Sequence, residues 1–172
     1  MKFEVLITKE ELKEKTAQMG KKITEDYKGK ELVLVGVLKG GFVFLSDLAR
    51  EIDLDLAVDF ISVSSYGNAT KSSGVVRILK DIDSDITGKH VLLVEDLIDT
   101  GLTLKYLKEL FNTKGCASVK LVAIMDKPDR RKVDLEVDYV GIEIPDEFVV
   151  GYGLDYAEKY RNLPEVYIIR ET

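Results

Sequence analysis

Short runs rich in β-branched and other apolar residues alternate with longer stretches of mixed polarity along most of the chain. Thr8, followed three residues later by Glu11, has the pattern of a capping box and predicts a helix to about Tyr27, laced with charges of both signs. "ELVLVGVL" (Glu31 to Leu38) suits a strand buried on both faces, and "GGFVFLSDLAREI" reads as the helix after it. "LAVDFISVSSYG" and "GVVRILKD" are the next strands. The polar, small-residue segment "YGNATKSSG" between them has the composition of a flap loop. "HVLLVED" predicts a strand, "TLKYLKELFNTKG" a helix ended by Gly115, and "ASVKLVAIMD", "VDYVGIEI" and "VYIIR" further strands. Strand and helix alternate through the middle, so the expected class is α/β with a parallel-sheet core flanked by helices. Ligands of such sheets bind beyond the carboxyl ends of the strands. That rule singles out three tips: Lys39-Gly40-Gly41, Glu95-Asp96 and Asp126-Lys127.

The chain has 172 residues, a usual size for one domain, and no low-complexity tract, repeat or Pro/Gly/Ser-rich linker divides it. A net charge of -6 argues against non-specific coating of nucleic acid, though a local basic patch stays compatible with it. The single cysteine, Cys116, cannot form an intramolecular disulfide, and a small buried role after a helix is its simplest reading. The charged N-terminus has no long apolar core, and no apolar stretch is long enough to cross a bilayer. A soluble cytoplasmic protein without a membrane partner is expected.

Several familiar signatures fail. "GVLKGG" lacks the Gly-Lys-Ser/Thr ending of a Walker loop, and "GYGLDY" has Tyr156 where a dinucleotide fingerprint needs its third glycine. "DIDSDITG" begins like a calcium loop with Asp81, Asp83 and Asp85. Ile86 replaces the turn glycine and Leu92 the bidentate glutamate, so a solvated acidic turn is expected instead. His90, the only histidine, is given no role.

"VLLVEDLIDTGLTL" (Val91 to Leu104) survives this screen. Asp99-Thr100-Gly101-Leu102-Thr103 lies between a buried strand and a helix start. Free backbone N–H groups and the helix dipole there favour an anion. Gly101 admits close approach, and Thr100 and Thr103 add hydroxyls. Taken alone, the segment is more often just a capped helix start. Glu95 and Asp96, however, end an apolar strand, where an unpaired carboxylate costs free energy unless something compensates it. Their side chains point to opposite sides, which suggests a ligand or cation at the tip. Ribose hydroxyls and a magnesium ion, bound directly or through water, would suit them.

The same stretch resembles the phosphoribosyl pyrophosphate (PRPP) motif of the type I phosphoribosyltransferases. The likeness continues at "VLKGG", "SSYG", "MDKPDRR" and "IPDEFVVGYGLDYAEKYRNLP". Together these segments are similar, over almost the whole chain, to the hypoxanthine-guanine, purine-salvage branch of that family. The resemblance implies one domain over residues 1–172, with a small hood built from the N-terminal segment and about residues 145–172, and a flap at about 65–75. It implies Mg2+-dependent transfer of the phosphoribosyl group from PRPP to N9 of a 6-oxopurine, giving a nucleoside monophosphate and pyrophosphate. Asp99 would be the general base beside N7. Glu95 and Asp96 would hold the ribose hydroxyls and the water shell of a magnesium ion. Thr100, Gly101, Leu102 and Thr103 would bind the 5′-phosphate. Lys39 and Gly40 would form the pyrophosphate loop, where the peptide joining Leu38 and Lys39 can be cis. Lys127 would donate to the purine O6, since an ammonium offers only donors. Phe148 would stack on the base and Val149 present backbone groups to its edge. Asp155 would bind a second magnesium and Arg161 clamp pyrophosphate oxygens. Ser65 and Tyr66 would ride the flap. Without the resemblance, Lys39 is equally a solvated lysine and Phe148 and Val149 core residues. A homo-dimer or homo-tetramer is also implied. Two rivals keep the fold: a transferase preferring xanthine or guanine, and an RNA-binding regulator, which should show a basic face or an aromatic platform.

Overall fold

The structure, a computed structural model, describes residues 1–65 and 76–171. Its elements run β1 (Lys2–Ile7), α1 (Lys9–Asp26), β2 (Leu32–Leu38), α2 (Phe42–Glu51), β3 (Leu56–Ser65), β4 (Val76–Lys80), β5 (His90–Ile98), α3 (Leu102–Asn112), β6 (Ser118–Asp126), β7 (Tyr139–Glu143), β8 (Val149–Val150) and β9 (Val166–Arg170). A single 3-10 turn, Pro128–Arg130, follows β6. The expected capping box forms: Thr8 Oγ1 accepts from the Glu11 N–H, and the Glu11 carboxylate accepts from Thr8.

Six strands form the main sheet in the order β4-β3-β2-β5-β6-β7, all pairs parallel except the antiparallel edge pair β3-β4. The chain leaves β2 through α2 towards β3, and leaves β5 through α3 towards β6 on the other side. The strand order therefore reverses between β2 and β5, which opens a crevice at their carboxyl ends. Two of the three tips expected from the sequence, at Lys39-Gly40 and Glu95-Asp96, flank that crevice.

Helices cover both faces. Leu92 and Val94 join one buried cluster with α1 and α2, while Val91 and Leu93 join the other with Leu104, Leu107 and Phe111 of α3. The doubly buried β5 therefore reads as a continuous apolar run rather than an alternation. A second, three-stranded antiparallel sheet in the order β1-β9-β8 joins the N-terminal segment to the C-terminal one, as expected of the hood. It shares the α1/α2 cluster through Ile7, Val149, Val166 and Ile168. β1 was not anticipated, because its outward Phe3 and Val5 stay exposed and its partner lies at the far end of the chain.

The acidic turn after β4 is held from below. Asp59, buried on β3, accepts from the N–H groups of Asp83 at 3.0 Å and Ser84 at 2.9 Å. Burial pushes the Asp59 carboxyl up, but hydrogen bonds from Ser84, Phe60 and Asp83 outweigh it and leave the group below its ordinary value. Asp81 and Asp83 pair with Lys114 and Lys80, so the segment is a braced, solvated turn. Because the folded pKa is depressed, the stabilisation is present above the unfolded value of roughly 3.9 and is lost as pH falls through the folded one. Asp59→Ala should cost ~2 kcal/mol at pH 7 by orphaning these donors. Denaturant melts should show the difference from wild type shrinking in acid; a gap independent of pH would contradict this origin.

Candidate active site

A cavity of about 240 Å³ lies at the β2/β5 crevice, lined among others by Leu38, Gly40, Glu95, Asp99, Thr100, Gly101 and Thr103. A larger one, of about 540 Å³, lies between α1, α2 and the Tyr152–Pro164 segment, and Arg161 is the only sequence-predicted site residue among its walls. The carboxylates and the helix start belong to the smaller cavity, so chemistry rather than size marks the site.

β5 delivers the two acids to opposite faces. Glu95 lines the cavity on the α3 side. Asp96 is buried on the α2 side, against Gly40, where a β-carbon would overlap its carboxylate oxygen. Position 40 therefore has room only for glycine while Asp96 keeps its place. Asp96 Oδ1 accepts from the Leu97 N–H at 2.7 Å, and Glu95 Oε1 from the Asp96 N–H at 3.0 Å. Burial, and then the Asp96 carboxylate beside it, push the Glu95 carboxyl well above its ordinary value. A hard cation would reverse that. Oxygen donors with room for water and substrate oxygens suit magnesium, which keeps part of its hydration shell. No group of three or more His, Cys, Asp or Glu side chains among the described residues forms a ready-made metal cage.

The helix start is free to take an anion. Gly101 is the N-cap of α3 at φ 86, with no side-chain cap, and the Thr100 hydroxyl reaches the Leu102 N–H only at 3.4 Å. The N-cap position thus holds a glycine rather than a capping threonine, and the one threonine contact to the helix start is the long one from Thr100. The segment after β6 clamps the loop from outside. Arg131 donates from Nη1 to the Asp99 carbonyl at 2.9 Å and from Nη2 to buried Asp126 at 2.7 Å, and the Lys132 N–H donates to the Thr100 carbonyl.

Lys127, the third tip, is buried, with its N–H on the Ile98 carbonyl and its ammonium 3.9 Å from Asp146 Oδ1. Phe148 stays half exposed, edge-on to Tyr156, and Val149 is buried in β8. The Leu38-Lys39 peptide is cis. Lys39 Nζ pairs with Glu158 at 3.0 Å. Arg161 holds Glu158 and Asp155, each at 3.4 Å, and donates to the Gly153 carbonyl at 2.8 Å. Lys39, Asp155 and Arg161 thus come together around Glu158, a residue that sequence reasoning missed. Arg130, Arg131 and Asp146 were missed too; only their place inside the matched motifs hinted at them. Of Ser65 only the backbone, at the end of β3, is described, and Tyr66 with the rest of the expected flap lies outside the described residues.

A phosphoribosyl transferase domain model matches residues 6–157. The chain belongs to the phosphoribosyltransferase family. It is 50% identical over 166 residues to a hypoxanthine-guanine phosphoribosyltransferase of Bacillus subtilis, covering 96% of this chain and 92% of that protein. Among solved structures, it superposes on a hypoxanthine phosphoribosyltransferase from Staphylococcus aureus with a TM-score of 0.95 at 50% identity, over 97% of this chain and 91% of that one. A hypoxanthine-guanine phosphoribosyltransferase from Bacillus anthracis, with a HEPES molecule in its active site, gives 0.94 at 53% identity, over 97% and 98%. The type I phosphoribosyltransferase fold expected from the sequence is therefore the fold of this chain.

The raised Glu95 group makes its own prediction. Its folded pKa is raised, so its favourable contribution is full below the unfolded value and is lost as pH rises through the folded one. Without divalent metal, Glu95→Gln should gain ~1 kcal/mol at neutral pH, because an amide has no ionisation for burial and Asp96 to oppose, while its oxygen can still accept from the Asp96 N–H. The gain should fade in acid and give way to a deficit against wild type when magnesium and PRPP are added. Thermal melts under these conditions test it; a stability loss at neutral pH without metal would contradict it.

Proposed function

We propose that this chain is a purine-salvage enzyme that transfers the 5-phosphoribosyl group from PRPP to N9 of hypoxanthine or guanine, giving IMP or GMP and pyrophosphate. One observation carries the reading: a carboxylate-tipped strand and an uncapped helix start open into a single cavity at the switch point of the sheet. Full-length likeness to hypoxanthine-guanine phosphoribosyltransferases supports the substrate class. The proposal extends to one catalytic domain over residues 1–172, to cytoplasmic residence in keeping with a lone cysteine, and to assembly as a homo-dimer or homo-tetramer.

In this reading the N–H groups of Thr100 to Thr103 receive the 5′-phosphate, and the Glu95 and Asp96 carboxylates receive the ribose hydroxyls. Asp99 accepts the N7 proton of the purine as N9 forms its bond to the anomeric carbon and the bond to pyrophosphate breaks. Lys127 donates to O6, an acceptor in hypoxanthine and guanine, and would meet the 6-amino group of adenine donor to donor. Phe148 stacks on the base while Val149 offers its backbone to the edge. Lys39, Gly40 and Arg161 hold the departing pyrophosphate once it takes Lys39 and Arg161 from Glu158. Magnesium, held by Glu95 and Asp96 through water and by Asp155 with pyrophosphate, would neutralise charge on the leaving group. Ser65 and Tyr66 would serve to keep water from the ribosyl centre.

The direct test is turnover of hypoxanthine, guanine, xanthine and adenine with PRPP, with and without magnesium. Hypoxanthine or guanine should react only with the metal, and adenine should not. Asp99→Asn should lower kcat by about 10²-fold or more with little change in PRPP binding. Lys127→Ala should impair 6-oxopurine use far more than PRPP binding. Metal-independent turnover would refute the magnesium assignment, and an unaltered kcat in Asp99→Asn would remove it as the base.

A further inference from the structure

Four charges of alternating sign run along the purine side of the site: Asp99, Arg130, Asp146 and Lys127. Arg130, the last residue of the 3-10 turn, donates from Nε to Asp99 Oδ1 at 2.9 Å. Its Nη1 stands 3.8 Å from Asp146 Oδ2, and the other oxygen of Asp146 stands 3.9 Å from Lys127 Nζ. Three different loops supply these groups: β5 to α3, β6 to β7, and β7 to β8. The outer two, Asp99 and Lys127, are the groups that would read the purine. The inner two have no part in the mechanism above.

The inner pair matches what a 6-oxopurine must present. Such a base brings an N–H donor to Asp99 and a carbonyl acceptor to Lys127. Arg130 puts a donor on Asp99, and Asp146 puts acceptor oxygens near Lys127, so the protein already offers both partners from its own chain. We infer that Arg130 and Asp146 act together as a displaceable place-holder for the purine, and that the strength of this contact helps to set purine affinity; the inference rests on the proposed function. Displacement is cheap in this geometry. Arg130 is 44% exposed, Asp99 46% and Asp146 53%, so the pair can turn into water without leaving a buried charge behind. Arg130 and Asp146 can keep each other as partners when the purine takes the outer two. Arg131, by contrast, binds the Asp99 carbonyl and buried Asp126, and it stays as a brace while Arg130 moves.

The test is steady-state kinetics of Arg130→Gln, Arg130→Lys, Asp146→Asn and the Gln/Asn double variant, with hypoxanthine and guanine varied at saturating PRPP. Arg130→Gln should lower the purine KM about two- to fivefold, the effect of removing one exposed ion pair that competes with the ligand. The PRPP KM and the melting temperature should stay near wild type, whereas a merely structural role would move both. Arg130→Lys, which keeps the cation, should hold the purine KM near wild type. The double variant should fall short of the sum of the single effects, as expected of two groups acting as a unit. An unchanged or raised purine KM in Arg130→Gln overturns the inference alone, provided the unaltered chain turns over. Failure of the unaltered chain to make nucleotide from PRPP with either purine overturns the proposed function, and the inference with it.

Discussion

At the end of β5 the Asp96 carboxylate occupies the space that a side chain at position 40 would need, and the two central strand tips meet on that contact. Gly40 lets the chain after β2 come down onto the acids, and the strand order reverses at that same place. The crevice, the cis peptide at Leu38-Lys39 and the carboxylates therefore occupy one small region. Loss of that close approach would separate the expected pyrophosphate loop from the ribose acids without unfolding the sheet.

Around this point each kind of interaction has its own task. Apolar burial on both faces fixes β5 rigidly, with Val91 to Val94 fully enclosed. That rigidity lets a strand end in two carboxylates at all, and burial beside Asp96 raises Glu95. The N-cap of α3 is a glycine without a side-chain cap, and the Leu102 N–H has only the long Thr100 contact, which leaves most donors of the helix start for a ligand. Exposed ion pairs, such as Lys39 with Glu158 and Arg130 with Asp99, engage charged groups of the site. Such pairs are weak individually, so a charged or polar substrate can replace them at small cost.

Much of this was legible in the sequence. Buried parallel strands announce themselves by unbroken apolar runs, and acids at the end of such a run have few reasons to be there. The capping box at Thr8 and Glu11 is a local signal and formed as expected. Local signals also have limits. β1 and the two-residue β8 exist only because β9 lies between them, and nothing near Phe3 or Val149 in the chain says so. Arg130, Asp146 and Glu158 are surface charges until the fold brings three loops together. The strand β4 was expected from its own residues, but its antiparallel pairing with β3 at the sheet edge was not. A cis peptide leaves no trace in composition or spacing.

The central claim is that the tip of β5 and the start of α3 divide one substrate pair among neighbouring sites. A crystal structure of the chain with GMP tests it most directly. The account predicts the 5′-phosphate on the N–H groups of Thr100 to Thr103, the ribose hydroxyls at Glu95 and Asp96, N7 at Asp99 in place of Arg130, and O6 at Lys127. A nucleotide whose phosphate lies instead between Lys39 and Arg161, or in the larger cavity beside α1 and α2, would contradict it.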